Sequence, residues 1–466
     1  MASMLDDALK KVDAQEAPLA PVRGFRDFLP KPEVERQRII TLLRASFERY
    51  GFQPLETPAL ESWDLLASKY AGGGAILKET YSLKDQGDRR LGLRYDLTVP
   101  LCRVVANNPN LLKPFKRYQI APVWRDGPIR LGRYREFVQC DGDTVGAPVG
   151  LADAEVLALA TDAYQSLGLE VVLLLNNRKL LWGLLELAAV PEQKRLPVVL
   201  TLDKMDKIGM GGVVRELQEQ QNLDLETVNK LVGVLNELTK ATSDEEKLAI
   251  LESKLIGSAQ ALEGVRETRE LLQILEYFGP TVRNSVKLDP FLARGLNYYT
   301  GPVFEAKLRN DVIGRSVGGG GRYDDLIGSF AGSSEKIPAV GFSFGLDVII
   351  DAIQAAKSPS ATQAPMSTTR VFVISIGPEA QGACVQYVQR IRRAGLNASI
   401  DLLGRGPSKN LEYASKQGIP YVVLVGKQEL EQGKIKLKDL RTGDEKVLAI
   451  ETALELLTDE QAIGKL

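Results

Sequence analysis

Histidine is missing altogether from this chain of 466 residues. Its absence excludes a Ser-His-Asp triad, a histidine general base near neutral pH and histidine metal ligands. Cysteine is scarce: Cys102, Cys140 and Cys384 stand far apart with no CxxC pair, and read as three reduced thiols. No apolar run approaches the roughly 18 residues of a membrane span. A typical short run, Val171 to Leu175, fits a buried strand. A strong charge of either sign is also lacking: 59 basic against 60 acidic side chains leave a net charge of −1. A wholly basic nucleic-acid binder is thereby excluded, and such a partner would have to meet local basic patches. The opening MASMLDDALKKVDAQ has no apolar signal core and is too acidic for a transit peptide, which predicts a cytoplasmic location and no membrane partner.

What is present is ordinary globular composition, 44% hydrophobic and 26% charged, over a length that suits two to four domains. An enzyme without histidine has to work by positioning and electrostatics, through Arg, Lys and carboxylates. Residues 1–20 read as a tail. Pro32 to Tyr50 reads as a helix: Pro32 suits the first helical position, Glu33 and Glu35 the first turn, and Gly51 the C-terminal cap. Phe52 to Leu60 is extended, and a strand-rich block runs from Arg89 to Asp143. Within it Phe115–Trp124 and Arg133–Asp143 read as strands around a long loop carrying Pro128, Gly127 and Gly132. Asp153 to Leu167 reads as a helix and residues 178–280 as almost wholly helical. Strands are predicted at Val286–Asp289, Val303–Leu308 and Ile313–Gly318, and a strand entering a helix at Ile337–Ile353. After the polar stretch KSPSATQAPMSTT (Lys357 to Thr369), strands and helices alternate in a compact α/β unit of about 95 residues.

Three stretches carry chemistry. Phe115 to Asp143 holds Lys116, Arg117, Arg125, Arg130, Arg133 and Arg135 among acids and aromatics. The arginine fork matches phosphate oxygens, and alternate strand residues share a face. Arg133, Arg135, Phe137 and Gln139 would then line one surface, with Asp143 toward its far end. Taken alone, the stretch also fits a charged hairpin with solvated arginines. In the second, LARGLNYYTGPVFE (Leu292 to Glu305), the tyrosine hydroxyls and Asn297 offer hydrogen bonds to a small polar ligand, or mark a turn into a core strand. The glycine run of the third, SVGGGGRYDDL (Ser316 to Leu326), either lets backbone approach a ligand or makes a flexible turn; it fits neither a P-loop nor a Rossmann fingerprint.

Together these stretches resemble the histidyl-tRNA synthetases, from about residue 21 to residue 460. PVWRDGPIRLGRYREF is similar to motif 2 of class II synthetases, ARGLNYYTGPVFEA and VGGGGRYDDL to two segments peculiar to the histidyl enzymes, and LRYDLTVP to a further family segment. KNLEYASKQGIPYVVLVGKQELEQGKIKLKDL resembles the anticodon-binding domain of a class II subgroup. The resemblance implies a mixed α/β (α+β) fold: a class II antiparallel sheet with flanking helices over residues 21–355, a helical insertion near 180–260, a linker at 356–369 and an α/β anticodon-binding domain over 370–466. The implied activity is ATP-dependent ligation of L-histidine to tRNA(His) through a histidyl-adenylate, with Mg²⁺ carried mainly on ATP, in a homodimer paired through about Gly51 to Glu61.

Carried over residue by residue, the resemblance makes Arg125 the residue on the ATP α-phosphate and the histidine carboxylate. Arg133 would meet the distal phosphates and Phe137 stack on adenine. Asp96, Leu97, Thr98 and Gln139 belong to the histidine site, with Asp96, Thr98 and Gln139 on the ammonium. Asp143, Tyr299 and Tyr298 would sense the imidazole, and Arg294 would stabilise charge at the α-phosphate. Three departures stand out. Val348 occupies the place of the motif 3 arginine, Asn297 replaces a common Asp, and Asp143 stands where many relatives have Glu. The competing readings are a histidine-binding paralogue, such as the regulatory subunit of ATP phosphoribosyltransferase, and a synthetase-like sensor of uncharged tRNA. The former lacks the C-terminal domain, and the latter belongs to a larger chain with a kinase segment, which this sequence does not show.

Overall fold

The computed structural model describes residues 19–69, 77–129, 133–293, 298–310, 313–356 and 367–463. The chain folds into two compact units. One comprises the residues up to Asp27 with Ile39–Ser358; the other comprises Phe28–Arg38 with Pro359–Leu466.

The first unit is built on strands β1 (Gln53–Pro54), β2 (Leu60–Ser62), β3 (Ser82–Lys84), β4 (Arg90–Leu93), β5 (Phe115–Trp124), β6 (Glu136–Val145), β7 (Val171–Asn177), β8 (Val286–Leu288), β9 (Pro302–Leu308), β10 (Ser316–Arg322) and β11 (Ala339–Gly345). Eight of them form one sheet in the order β1-β5-β6-β11-β10-β9-β7-β8. Its five inner pairings are antiparallel, and the short edge strands β1 and β8 pair parallel to their neighbours. The sheet is therefore the antiparallel one expected. Its core packs Ile39, Leu43 and Phe47 of the helix Pro30–Arg49 and the helix Leu151–Ser166 against one face. Those three residues recur at helical spacing and are fully buried, which is what fixes that helix on the sheet.

Two expectations need correction. The strand predicted at Ile313–Gly318 is instead at Ser316–Arg322, through the middle of the sheet, and takes in the glycine run, for which a flexible turn was one of two readings. A glycine run shows no hydrophobic alternation, so its pattern is silent; neighbouring aromatics fill the space that side chains would take. A Cβ on Gly318 would stand 2.4 Å from the Tyr164 hydroxyl, and one on Gly320 1.9 Å from the Gly341 carbonyl oxygen. The strand predicted from Arg133 begins at Glu136 and runs on to Val145. The helices between Arg178 and Ser285 contribute to two clusters. Leu180, Leu251 and Val265 belong to the core of the sheet, while Leu185, Val198 and Leu217 form a separate cluster.

The second unit has a five-stranded sheet, β13-β12-β14-β15-β16, from β12 (Val371–Ser375), β13 (Ala398–Ile400), β14 (Tyr421–Val425), β15 (Ile435–Asp439) and β16 (Glu445–Leu448). It is mixed: β12 runs parallel to β13 and β14, and β15 and β16 follow antiparallel. Val373, Val423, Cys384 and Ile391 anchor a core of its own.

A buried ion pair sets the end of β10. Arg322 is 2% exposed and forks onto Asp153 at 3.0 and 2.6 Å; it also reaches Asp324 and the carbonyls of Ala147 and Pro148, each at 3.0 Å. Asp153 also accepts the Gly150 N–H at the start of its helix. Asp153→Ala strips Arg322 of its main partner, and breaking such a pair costs about 3–5 kcal/mol. Urea unfolding should show a loss of that size; a loss below about 1 kcal/mol, the range of an exposed pair, would contradict the role given to the pair.

Candidate functional site

A cavity of about 550 Å³ lies on the sheet, lined by β6, β10 and β11 and by segments around Asp96, Arg125 and Tyr298. β6 organises it. Phe137, Gln139, Asp141 and Asp143 alternate along one face and all line the cavity, so its length follows the strand, roughly 20 Å from Phe137 to Asp143.

The end near Phe137 is cationic and aromatic. The Arg125 guanidinium lies 4.2 Å from the Tyr95 ring centre and 5.0 Å from that of Phe137, and its Nε donates to the Tyr95 carbonyl at 3.2 Å. Among the described residues no carboxylate pairs with it, so its charge is available to a ligand. Arg133 also lines the cavity, bound to Glu79 at 2.9 Å in a half-exposed pair. Arg315 and Val348 line the cavity as well. Arg135, expected on this face, is not in the lining; it pairs with Asp126 at 3.0 Å, because the strand begins only after it.

The opposite end is acidic and phenolic. Asp143 pairs with the fully buried Arg117 at 2.7 Å and accepts a short hydrogen bond from the Tyr323 hydroxyl. Burial pushes the Asp143 carboxyl up, and Arg117 and Tyr323 oppose that. Burial also raises the Tyr323 phenol, with Asp143 adding to it, so it stays protonated as a donor. Tyr298 stands edge-on to Tyr323, ring centres 6.2 Å apart, and 4.6 Å from Tyr299. Asp96 and Thr98 line the cavity; Asp96 accepts the Val99 N–H at 3.0 Å. Gln139 donates to Ser343 at 2.9 Å, and its buried Oε1 has no hydrogen-bond partner among the described residues.

The structure thus brings together Asp96, Thr98, Arg125, Arg133, Phe137, Gln139, Asp143, Tyr298 and Tyr299. Leu97 is not in the lining: its side chain is fully buried and its carbonyl accepts from Arg117 at 3.2 Å. Arg294 and Asn297, like Arg130, lie outside the described residues. Sequence reasoning missed Asp141, Tyr323 and Arg315, and counted Arg117 only among the phosphate-matching arginines, whereas it pairs with Asp143. Asp141 was legible, since it shares the strand face of Gln139 and Asp143. Arg117 and Tyr323 needed the strand register.

The family Histidyl-tRNA synthetase matches residues 24–349, and the family Anticodon binding domain matches residues 370–460. The chain belongs to the histidyl-tRNA synthetase family. It is 42% identical over 425 residues to Histidine--tRNA ligase 1 of Bacillus cereus, covering 91% of this chain and 96% of that relative. It is 41% identical over 426 residues to Histidine--tRNA ligase of Aeropyrum pernix, covering 91% and 94%. The fold superposes on a crystal structure of histidyl-tRNA synthetase from a Nostoc species with a TM-score of 0.82 at 31% identity, covering 96% of this chain and all of that one. A Bacillus halodurans structure described as an ATP phosphoribosyltransferase regulatory subunit/histidyl-tRNA synthetase shares the fold, with a TM-score of 0.72 at 22% identity. The paralogue reading has less support, because the anticodon-binding match covers the domain that paralogue lacks.

Asp141 carries a pH signature. Its carboxyl is pushed up to about 7, by burial first and by Asp143, against the pull of Arg117. A folded-state value above the usual carboxylate range means that folding takes up a proton. The stability it lends is full below about pH 4 and is lost as pH rises toward 7. Asp141→Asn removes that loss, so its melting temperature relative to wild type should climb from pH 4 to 7 and level off above. A difference that does not change with pH would show that Asp141 is charged throughout.

Proposed function

We propose that this chain joins L-histidine to tRNA(His) with ATP, through a histidyl-adenylate. The observation that carries the reading is one cavity with two opposite ends: an arginine between aromatic rings, with no carboxylate partner among the described residues, at one, and a cluster of buried carboxylates and phenols at the other. The first end suits an adenine and phosphates, the second a small cation with hydrogen-bonding N–H groups.

In this reading Arg125 binds the ATP α-phosphate and the histidine carboxylate, Arg133 exchanges Glu79 for the distal phosphates, and Phe137 stacks on adenine. Asp96, Thr98 and Gln139 hold the ammonium, and Asp143 with Tyr298 and Tyr299 senses the imidazole. Arg294 stabilises charge at the α-phosphate. The carboxylate oxygen is held in line with phosphorus while cations cover the phosphoryl oxygens, so adenylation needs no proton-transfer base. Among the described residues no three metal-ligating side chains converge. Mg²⁺ is assigned to the triphosphate, where it would neutralise phosphate charge.

We assign residues 21–355 to catalysis, with the helical insertion near 180–260, and residues 370–466 to the anticodon stem-loop, joined by a linker at 356–369. Lys409, Lys416, Lys427, Lys436 and Lys438 give the second unit local positive charge, although Lys416 pairs with Glu412 at 2.6 Å and Lys438 with Glu445 at 2.7 Å. No helix among the described residues is long and apolar enough to cross a membrane, and the proposed location is the cytoplasm. The active form is assigned as a homodimer through about Gly51 to Glu61, which includes β1 at the edge of the large sheet. Light scattering at micromolar concentration should give twice the 51.1 kDa of the chain; the monomer mass would contradict the assignment.

Three proteins in two assays test the roles. Wild type should support both histidine-dependent ATP–pyrophosphate exchange and charging of tRNA(His). Arg294→Ala should lose on the order of 10²–10³ in exchange rate, as removal of one preorganised charge donor does, with histidine binding little changed. A chain ending at Ser358 should keep exchange and charge tRNA poorly, because anticodon contacts supply binding energy used at the distant reacting end. Unchanged exchange in the first variant, or equal retention of both activities in the second, would refute the corresponding role.

A further inference from the structure

Asp143 is flanked on its own rung of the sheet by Arg117 on β5 and Gly341 on β11. Arg117 has no solvent exposure; its Nη2 lies 2.7 Å from Asp143 Oδ2 and donates to the Leu97 carbonyl at 3.2 Å. The Tyr323 hydroxyl donates to the other carboxylate oxygen, Oδ1, and Tyr323 is itself fixed by its N–H on the Ala339 carbonyl at 2.8 Å. Gly341 leaves the room: a Cβ there would stand 2.0 Å from Oδ1. Both oxygens are thus held, Oδ2 by Arg117 from outside the cavity lining and Oδ1 by Tyr323, which lines the cavity together with Asp143. A carboxylate held this way offers its remaining lone pairs in one fixed direction.

Resting on the reading that the cavity takes histidine, we propose that Arg117 is the positioning residue for imidazole recognition: it keeps Asp143 anionic and aimed so that Asp143 accepts an imidazole N–H. Arg117 does not touch the substrate. It stands beneath the residue that does, tied through the Leu97 carbonyl to the segment that also supplies Asp96 and Thr98. This accounts for the aspartate where many relatives carry glutamate: the shorter side chain is seated by two donors.

The charges around Asp143 make the cation necessary. Asp141 lies along β6, Asp96 approaches from the turn before the helix Thr98–Asn107, and the phenols of Tyr298 and Tyr323 close the end, with Cys102 facing Tyr323. Gly341 on β11 brings no charge. Against these acids, Arg117 is the cation that lowers both Asp141 and Asp143. Without it, burial and mutual repulsion place a proton on the pair. A protonated Asp143 turns a donor toward the substrate N–H and loses the acceptor.

The test uses full-length Arg117→Met, Arg117→Lys and Tyr323→Phe, with histidine-dependent exchange from pH 6 to 9 and thermal unfolding of each. Wild type should have a KM for histidine that varies over that range only as far as titration of the free amino acid and of Asp141 near 7 requires. Arg117→Met should raise it on the order of 10²-fold, the scale of a lost hydrogen bond to a charged group. Its KM should fall as pH rises and Asp143 ionises, with kcat and the KM for ATP little changed. Arg117→Lys should recover most of the affinity and the wild-type pH profile, and Tyr323→Phe should raise the histidine KM by a smaller factor. A wild-type histidine KM and pH profile in Arg117→Met overturns the proposal, as do equal losses toward ATP and histidine, which mark scaffold damage. Should Arg117→Met not unfold cooperatively, Tyr323→Phe decides: a raised histidine KM supports the clamp and an unchanged one overturns it. A wild type without histidine-dependent exchange overturns the functional reading itself, whereas normal exchange with indifferent variants overturns only the role of Arg117.

Discussion

The Asp143 carboxylate lies where it does because its neighbour on β11 has no side chain; a Cβ on Gly341 would stand 2.0 Å from Oδ1. The same condition extends across the next strand, where a Cβ on Gly320 would meet the Gly341 carbonyl oxygen at 1.9 Å. Backbone alone therefore forms much of the cavity floor, and the room given up by side chains is where a ligand can lie. The aromatic rings of Tyr164, Phe342 and Phe344 fill the space behind, in contact with one another, so the floor is thin without being soft.

On that floor the charges are sorted by position along one strand. Phe137 and Asp143 stand six residues apart on β6, facing the same way; Arg125 lies against the Phe137 ring at the first, where the Asp347 carboxylate accepts the Val138 N–H, and Asp143 with Tyr298, Tyr299 and Tyr323 marks the second. An amino acid with a basic side chain and a nucleoside triphosphate are opposite in charge, and this arrangement orients both with their reacting groups toward the middle. The buried Arg322–Asp153 pair belongs to the same design, since it fixes the end of β10 from which Tyr323 reaches Asp143. Holding two ground-state groups in line within a preorganised field is a way to accelerate adenylation without histidine in the protein.

Much of this was legible in the sequence because strand alternation and helical spacing are local. Ile39, Leu43 and Phe47 announce the buried face of their helix, and Phe137, Gln139 and Asp143 announce one face of β6. Asp141 follows from the same alternation, although no role carried over from the family singles it out. Arg117 depends on the β5–β6 register, which sets residue 117 opposite 143 and is fixed only when the hairpin closes. The extended form of the glycine run stays open in the sequence, since hydrophobic periodicity cannot report on residues without side chains; the packing of Tyr164 and Phe342 against Gly318 accounts for it. Leu97 groups with its neighbours in the motif, yet its contribution is a carbonyl behind the site.

The central claim is that this cavity selects histidine and activates it with ATP. The most direct measurement is ATP–pyrophosphate exchange by the full-length protein with each of the twenty amino acids supplied singly at equal concentration. The account predicts exchange well above background with histidine alone, because the clamped carboxylate and the phenols around it are placed to meet an imidazole. Exchange with a different amino acid, or with none while ATP still binds, would contradict it.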